Sequence, residues 1–218
     1  LAQAWQEAGG HLQGDIRAGT WPTGLPTWQR WTSPPLSVVV RDINKFSNNV
    51  MARQLFLTLA MSDANANANA EPPPATLEAA RSRVGQIVRE ATADANGRSP
   101  CEGEALVLDN GSGLSRLERS SALCLGGWLR TVWHSPIMPE LLASLPLTGV
   151  DGTARRWSGA SGHAHIKTGS LDGVSAIAGY VDGQSGHRHI VVGIVQDPRS
   201  GAARPVLDAL LDWARQDL

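Results

Sequence analysis

The chain has 218 residues, of which 42% are hydrophobic, and a formal net charge of -1 at pH 7. This length suits one sizeable domain, and the lack of a basic run argues against nucleic acid or an anionic membrane surface as a partner. No apolar stretch reaches the roughly 18 residues of a membrane span, so we expect at most peripheral membrane contact. The residues include no secretory signal, but the sequence opens within a helical pattern and without methionine. We therefore expect a trimmed or cut chain.

Residues 1–32 are predicted to be a connecting segment. A short helix precedes HLQGDIRAG, whose alternation predicts a strand, and the turn-rich TWPTGLPTW follows. The next stretch, SPPLSVVVRDI, contains three valines that favour a strand. However, Ser33 followed by Pro34 is typical of a helix N-cap, and the apolar residues recur at helical spacing. We predict a helix here, and a buried helix in NNVMARQLFLTLAM.

The middle of the chain is predicted to be mainly helical. Residues 62–75 are low in complexity and rich in proline at their end, so we expect a mobile surface loop. A helix should follow, capped by Thr76 and ending near Gly97. EALVLDNGSGLS predicts a strand that runs into a glycine turn, and two further helices are predicted in ERSSALCLGGWLRTVWHS and MPELLASLP.

The last third changes character, because HAHIKTG, VSAIAGYV and HRHIVVGIV read as three strands at hairpin spacing. An amphipathic helix closes the chain, and its apolar side chains are expected on one face. These residues are Val206, Leu207, Leu210, Leu211 and Trp213.

The cysteines and histidines each allow two interpretations. Cys101 and Cys124 could form a disulfide in an oxidising compartment, or be two buried small apolar residues, which we favour. HAH and HRH each place two imidazoles on one strand face, as in a metal site. Neither has a nearby cysteine or an acidic third ligand, so we predict no metal.

Lysine is rare in this chain, which has two lysines and seventeen arginines. Lys167 ends a predicted strand and is followed by Thr168, Gly169 and Ser170. Glycine lets a ligand approach the backbone closely, a strand edge can hold an extended peptide, and lysine offers a compact charge to a carboxylate. The alternative is a strand end whose lysine reaches into solvent.

The other lysine, Lys45, lies two residues before Ser47-Asn48-Asn49. A Ser-x-Asn triplet at a helix–loop junction can present a hydroxyl that relays a proton and an amide that binds a peptide carbonyl. Ordinary helix capping by serine or asparagine is the alternative for the triplet alone.

Ser-x-Asn followed much later by Lys-Thr-Gly matches the active-site set of penicillin-recognising serine enzymes. From about residue 5 onward, the chain resembles the D-alanyl-D-alanine carboxypeptidase/endopeptidase family, the class C low-molecular-mass penicillin-binding proteins. The stretches that carry the resemblance are RDINKFSNNVMARQL, LDNGSGLSR, LPLTGVDGTARRW and HIKTGSLDGVSAIAGYV.

The resemblance implies an α/β (α+β) fold, in which an antiparallel sheet flanked by helices lies beside a mostly helical lobe, as in serine β-lactamases. Residues 1–32 would then return from an upstream inserted domain. Residues 33–218 would be the C-terminal part of the penicillin-binding (transpeptidase-like) domain, with an incomplete sheet.

The resemblance also implies a periplasmic bacterial serine D,D-peptidase that cleaves peptidoglycan stem peptides through an acyl-enzyme, is sensitive to β-lactams and needs no cofactor. Ser47 would relay a proton to the leaving amine, and Asn49 would hold the penultimate residue. Lys167 and Thr168 would bind the terminal carboxylate. Gly169 and Ser170 would complete the substrate site, with the Ser170 N–H as an oxyanion donor.

The third family motif, Ser-x-x-Lys, does not occur in this sequence, because positions 42 and 164 are Asp and Ala. The resemblance implies that the nucleophile lies upstream and that the missing N-terminal part is a partner of this chain. The chain alone would then be inactive. Two alternatives stay open: a non-catalytic peptidoglycan-binding pseudoenzyme, and a β-lactamase or esterase on the same fold.

Overall fold

The computed structural model describes residues 2–20, 22–27, 29–61 and 75–217, and the chain divides into two units, 1–33 and 34–218. In the first unit, helix α1 spans Ala2–Glu7, and the other described residues form neither helix nor strand. The strand predicted in HLQGDIRAG is therefore wrong. Its alternating residues Leu12 and Ile16 are 47% and 72% exposed, so they form no buried apolar face within the described part of this unit.

The second unit begins with the predicted helix α2, Leu36–Phe46. The capping prediction is wrong, because Pro35 occupies the N-cap position with an extended backbone and the cap makes no side-chain hydrogen bond. A proline disfavours helical geometry in the residue before it. Pro35 therefore keeps Pro34 out of the helix, and Ser33 lies too far upstream to cap it.

Helices α3, Asn49–Met61, and α4, Leu77–Thr92, share a small core of Phe56, Ala60 and Ala80. Helix α3 is less buried than predicted, since only Phe56 and Ala60 are fully enclosed. The N-cap of α4 is confirmed, because the Thr76 side chain accepts a hydrogen bond from the Ala79 N–H at 3.2 Å. The helix ends before the predicted Gly97, and the predicted loop at 62–75 lies, up to residue 74, outside the described residues.

The predicted strand before the glycine turn is only two residues long. Strand β1, Leu106–Val107, pairs antiparallel with β2, Arg119–Ser120. Helices α5, Ala122–Trp133, and α6, Met138–Ser144, follow as predicted. The short β1–β2 ladder fixes the two ends of the segment 108–118, which contains the glycine turn.

Cys101 and Cys124 form a disulfide, so the interpretation of two unpaired apolar cysteines is wrong. The bond joins the segment before β1 to the first turn of α5 across 23 positions. Closing a loop of this length reduces the entropy of the unfolded chain and stabilises the fold by about 3 kcal/mol in the chain-entropy account.

The predicted meander is confirmed as an antiparallel sheet in the order β3-β4-β5. Its strands are β3 (Ala164–Leu171), β4 (Val174–Asp182) and β5 (Arg188–Gln196), and helix α7 (Arg204–Arg215) follows. No helix in the described part of the chain is both long and apolar enough to cross a membrane.

Helices cover both faces of this sheet, as predicted for the α/β (α+β) fold. On one face, Ile166, Ile177 and Val181 pack with Leu207 and Leu211 of α7. On the other, Tyr180 packs with Leu129 of α5 and with Leu145. The predicted apolar face of α7 is only partly correct: Leu207 and Leu211 are buried, whereas Val206 and Trp213 are 67% and 54% exposed.

Candidate active site

The outer edge of β3 is covered along its first half and open along its second. The Ile166 N–H donates to the Pro146 carbonyl at 2.9 Å, and the Thr148 N–H donates to the Ala164 carbonyl at 3.0 Å. Backbone N–H groups of alternate residues in a strand point to the same side. The N–H groups of Thr168 and Ser170 therefore point away from β4, as that of Ile166 does.

A cavity of about 610 Å³ lies beside this open edge. The end of β3 forms one wall, the junction between α2 and α3 forms another, and the glycine turn before β2 forms a third. All six predicted site residues line this cavity: Ser47, Asn49, Lys167, Thr168, Gly169 and Ser170. Ser112 and Thr153, which had no predicted role, line it as well.

Ser47 and Lys167, 120 positions apart in sequence, are in direct contact, because Lys167 Nζ donates to Ser47 Oγ at 2.9 Å. Ser47 follows Phe46 as the C-cap of α2 and has the left-handed conformation, with φ 54°. The capping alternative applies to its neighbour, since Asn48 Oδ1 accepts the Met51 N–H at the start of α3. Asn48 thus caps the helix, and the hydroxyl of Ser47 is free to face the cavity.

Asn49 is held by the glycine turn. Its Nδ2 donates to the Ser112 carbonyl at 2.6 Å, which uses one amide proton and fixes the plane of the amide group. The glycine turn is itself anchored to α4, because Arg81 donates hydrogen bonds to the carboxylate and the carbonyl of Asp109, at 2.6 and 2.7 Å. Gly111 has φ +69°, and a Cβ there would lie 2.4 Å from Phe56, so the turn requires glycine.

Lys167 is a partly buried cation without a carboxylate partner among the described residues. Its ammonium donates to Ser47 Oγ and to the Thr168 carbonyl, both at 2.9 Å. Burial lowers the pKa of Lys167 from its ordinary value of 10.5. A buried cation with only neutral acceptors favours an incoming anion.

Thr168 contacts a second hydroxyl, that of Thr153, for which the sequence predicts no role. Thr168 Oγ1 donates to Thr153 Oγ1 at 2.8 Å, so the two hydroxyls lie side by side in the cavity wall. Thr153 belongs to LPLTGVDGTARRW, one of the four stretches that carry the family resemblance. Gly169 and Ser170 follow at the exposed lip of the strand.

The paired histidines do not assemble into a metal site. His165 lies on β3 and His189 on β5, with β4 between them, and His189 Nε2 contacts Asp217 Oδ1 at 2.5 Å. In the described part of the chain, no group of three or more His, Cys, Asp or Glu side chains is arranged to hold a metal ion.

Sequence comparison gives one family match. A family model described as the D-Ala-D-Ala carboxypeptidase 3 (S13) family matches residues 1–216. No curated protein matches the chain.

Solved structures similar to this chain share its fold. Penicillin-binding protein 4 of Haemophilus influenzae, complexed with a β-lactam, matches with a TM-score of 0.69 and 19% identity over 99% of this chain and 49% of its own. A predatory endopeptidase of Bdellovibrio bacteriovorus matches with 0.62 and 19% over 84% and 45%. Another from that organism, in complex with an immunity protein, matches with 0.58 and 17% over 90% and 48%. The chain thus spans about half the length of these structures.

Proposed function

Because the chain belongs to the D-Ala-D-Ala carboxypeptidase 3 (S13) family, we propose that the protein is a serine D,D-peptidase of peptidoglycan and that this chain forms most of its substrate cleft. The observation that carries the proposal is the 2.9 Å contact between Lys167 and Ser47. It joins the Ser-x-Asn and Lys-Thr-Gly motifs in one cavity, beside a strand edge with room for a peptide.

The substrate binds as an extended peptide along the open half of β3, with main-chain hydrogen bonds to this edge. Its terminal carboxylate is held by the Lys167 ammonium and the Thr168 hydroxyl. In the structure that hydroxyl donates to Thr153 Oγ1 at 2.8 Å. When the carboxylate binds, the Thr168 proton turns toward it and Thr153 becomes the donor to Thr168, which orients the hydroxyl. A charged donor together with a directed neutral donor recognises a carboxylate specifically.

The proton pathway follows from the direction of the hydrogen bond at Ser47. Its Oγ accepts a hydrogen bond from the Lys167 ammonium, so its own hydroxyl proton is directed elsewhere, to the leaving amine of the terminal residue. Asn49 binds the amide of the penultimate residue. The Ser170 N–H, which points away from β4 by strand alternation, donates to the oxyanion that forms during acylation.

The nucleophile comes from outside these 218 residues, because no serine here lies three positions before a lysine. A second cavity of about 630 Å³ adjoins Lys167 and extends over the sheet face. Ala176, Ala178 and Ile194 give this cavity an apolar floor, which suits a packed protein segment more than solvent. A segment seated there brings its serine next to Lys167.

The cellular setting and the ligands follow from the same proposal. Hydrolysis of peptidoglycan takes place in the bacterial periplasm, an oxidising compartment that allows the Cys101–Cys124 disulfide to persist. The cleft binds β-lactams as substrate mimics, in line with the β-lactam present in the H. influenzae structure. The acyl transfer itself needs no metal or organic cofactor.

The direct test is release of D-alanine from a peptide that ends in D-Ala-D-Ala, measured with the complete protein. We expect turnover, stoichiometric labelling by benzylpenicillin, and a loss on the order of 100-fold for Ser47→Ala, because the proton relay is removed. Ser185→Ala, in the β4–β5 hairpin, is the matched control and should be unchanged. Binding of the peptide without release would instead identify a non-catalytic binding protein. Fast hydrolysis of penicillin without peptide release would identify a β-lactamase.

The pH dependence of binding should follow the lowered pKa of Lys167. As the pH rises, the ammonium loses its charge earlier than an exposed lysine does. We expect the affinity for a peptide with a free terminal carboxylate to fall with a midpoint below 10.5, the ordinary lysine value. Equilibrium binding at increasing pH measures this midpoint, and the same peptide with an amidated terminus should show no such decline. A midpoint at or above the ordinary value contradicts the role of Lys167.

A further inference from the structure

We propose that the ion pair between Lys45 and Asp151 positions Ser47 against Lys167, which makes both of its members positioning residues for the proton relay. This inference rests on the proposed function. It also accounts for the second of the two lysines in the chain, which had no role of its own in the motif pattern.

The ion pair is well connected, and its lysine is more shielded than its carboxylate, since the Asp151 side chain is 42% exposed. Lys45 Nζ lies 2.6 Å from Asp151 Oδ2 and 2.7 Å from the Leu145 carbonyl. The Lys45 side chain is 15% exposed. The other carboxylate oxygen of Asp151 accepts the Leu147 N–H at 2.8 Å. Burial raises the pKa of Asp151, but the hydrogen bonds from Lys45 and Leu147 and the charge of Lys45 outweigh it and leave the pKa below 3.8. The carboxylate is therefore charged at neutral pH.

The pair joins the two structural elements that carry the catalytic motifs. Lys45 lies in the last turn of α2, two residues before Ser47. Asp151 lies in the segment 145–153, which follows α6 and bonds the outer edge of β3 through Pro146 and Thr148. Lys167 is on that same strand. The ion pair thus fixes the end of α2 relative to β3.

Two further contacts support the same junction. Asn44 Nδ2, one residue before Lys45, donates to Ser144 Oγ at 2.8 Å. Gly152 lies directly against the Lys45 carbonyl, and a Cβ at this glycine would be 2.4 Å from that oxygen. The close approach and the positive φ of +52° require glycine here.

Lys45 acts through Ser47 and not on the substrate. Its ammonium is engaged by Asp151 and by a backbone carbonyl, and Lys45 is not among the residues that line the cavity beside β3. Ser47 is the C-cap of α2, directly after Phe46, and has the left-handed conformation. The place of its hydroxyl therefore depends on how the end of this helix is docked.

The test measures acylation of the complete protein by labelled benzylpenicillin. We expect losses on the order of 100-fold for Lys45→Met and about 10-fold for Asp151→Asn, because small displacements of a reacting group are costly. In a Ser47→Ala background, Lys45→Met should add less than about two-fold, since residues that act as a unit are not additive. Asp182→Asn breaks the comparable Asp182–Arg188 ion pair and should leave acylation within about two-fold of the unmodified protein.

Acylation of Lys45→Met at the unmodified rate would overturn the proposal. A second full loss in the Ser47→Ala background would also overturn it, because it would show a general effect on folding. A protein that is never acylated would refute the proposed function and not this inference.

If the protein is never acylated, the positioning role can still be tested by a measurement that needs no turnover. The pKa of Lys167, measured by NMR titration with a label at Cε, should change in both Asp151→Asn and Ser47→Ala. It should stay unchanged in Asp182→Asn. Asp151 contacts Lys45 and the Leu147 N–H and makes no hydrogen bond to Lys167, so a change at Lys167 reports a displaced Ser47. An unchanged Lys167 titration in Asp151→Asn rules out the positioning role.

Discussion

Replacement of Lys167 by arginine should slow acylation of the complete protein by penicillin on the order of 100-fold, although the charge is conserved. The ammonium fits a narrow site between Ser47 Oγ and the Thr168 carbonyl, both 2.9 Å away. A guanidinium is planar and wider and stays charged, so it can satisfy neither distance without displacing Ser47 or the strand edge. The loss should therefore appear in the acylation step as well as in binding of the carboxylate.

The measurement is the second-order rate constant of labelling by fluorescent penicillin, with the melting temperature followed in parallel. Arg89→Lys on α4 tests the same pair of residue types at an exposed position that does not line the cavity, and it should behave as the unmodified protein. A Lys167→Arg variant that is labelled within a few-fold of the unmodified rate would show that this site needs only a positive charge. Binding of the carboxylate would then not depend on the shape of the cation at position 167.

The elements that the sequence predicted well are those in which local pattern and tertiary packing agree. The three strands β3, β4 and β5 are short apolar runs at hairpin spacing, and their pairing requires only adjacent turns. The prediction of helix α2 is confirmed, because the helical spacing of its apolar residues outweighs the strand preference of the three valines. The family resemblance was carried by four short stretches, and the family match over residues 1–216 confirms it.

The errors have physical causes that a local pattern does not reveal. The alternation of HLQGDIRAG predicts a strand, but a strand needs a partner, and none exists in the described part of its unit. The disulfide depends on the distance between Cys101 and Cys124 in the fold, which their spacing of 23 positions does not give. The start of α2 depends on Pro35, which disfavours helical geometry in Pro34, and the Ser33-Pro34 pattern does not reveal this effect.

The candidate site was predictable as a set of residues but not as a network. Ser47, Asn49 and Lys167 could be found from motifs, whereas their supports are contacts across long sequence separations. Asn49 is held by Ser112 from 63 positions away, and Lys45 binds Asp151 from 106 positions away. Ser112 and Asp151 lie in stretches that carry the family resemblance, but the sequence predicts no chemical role for either residue. Their roles therefore become visible only in three dimensions.

The chain by itself should form no covalent adduct with penicillin, whereas the complete protein should be labelled stoichiometrically. A stable acyl-enzyme needs an activated nucleophile with a base in hydrogen-bond reach. The two lysines here are Lys45 and Lys167, and neither follows a serine by three positions. Lys45 is occupied by Asp151 and the Leu145 carbonyl, which leaves Ser47 beside Lys167 as the one pair in the described cavity that could react instead.

Ser47 is a poor substitute because its hydroxyl accepts the hydrogen bond from Lys167, so the lysine acts there as a donor and not as a base. The Ser170 N–H would also lack the second oxyanion donor, a loss that costs on the order of 100-fold or more in rate. Intact-mass spectrometry of the 218-residue chain after incubation with benzylpenicillin measures the outcome, with circular dichroism as the control for folding. A stoichiometric mass increase would make Ser47 the nucleophile, and with it the external serine and the relay role would both have to be abandoned.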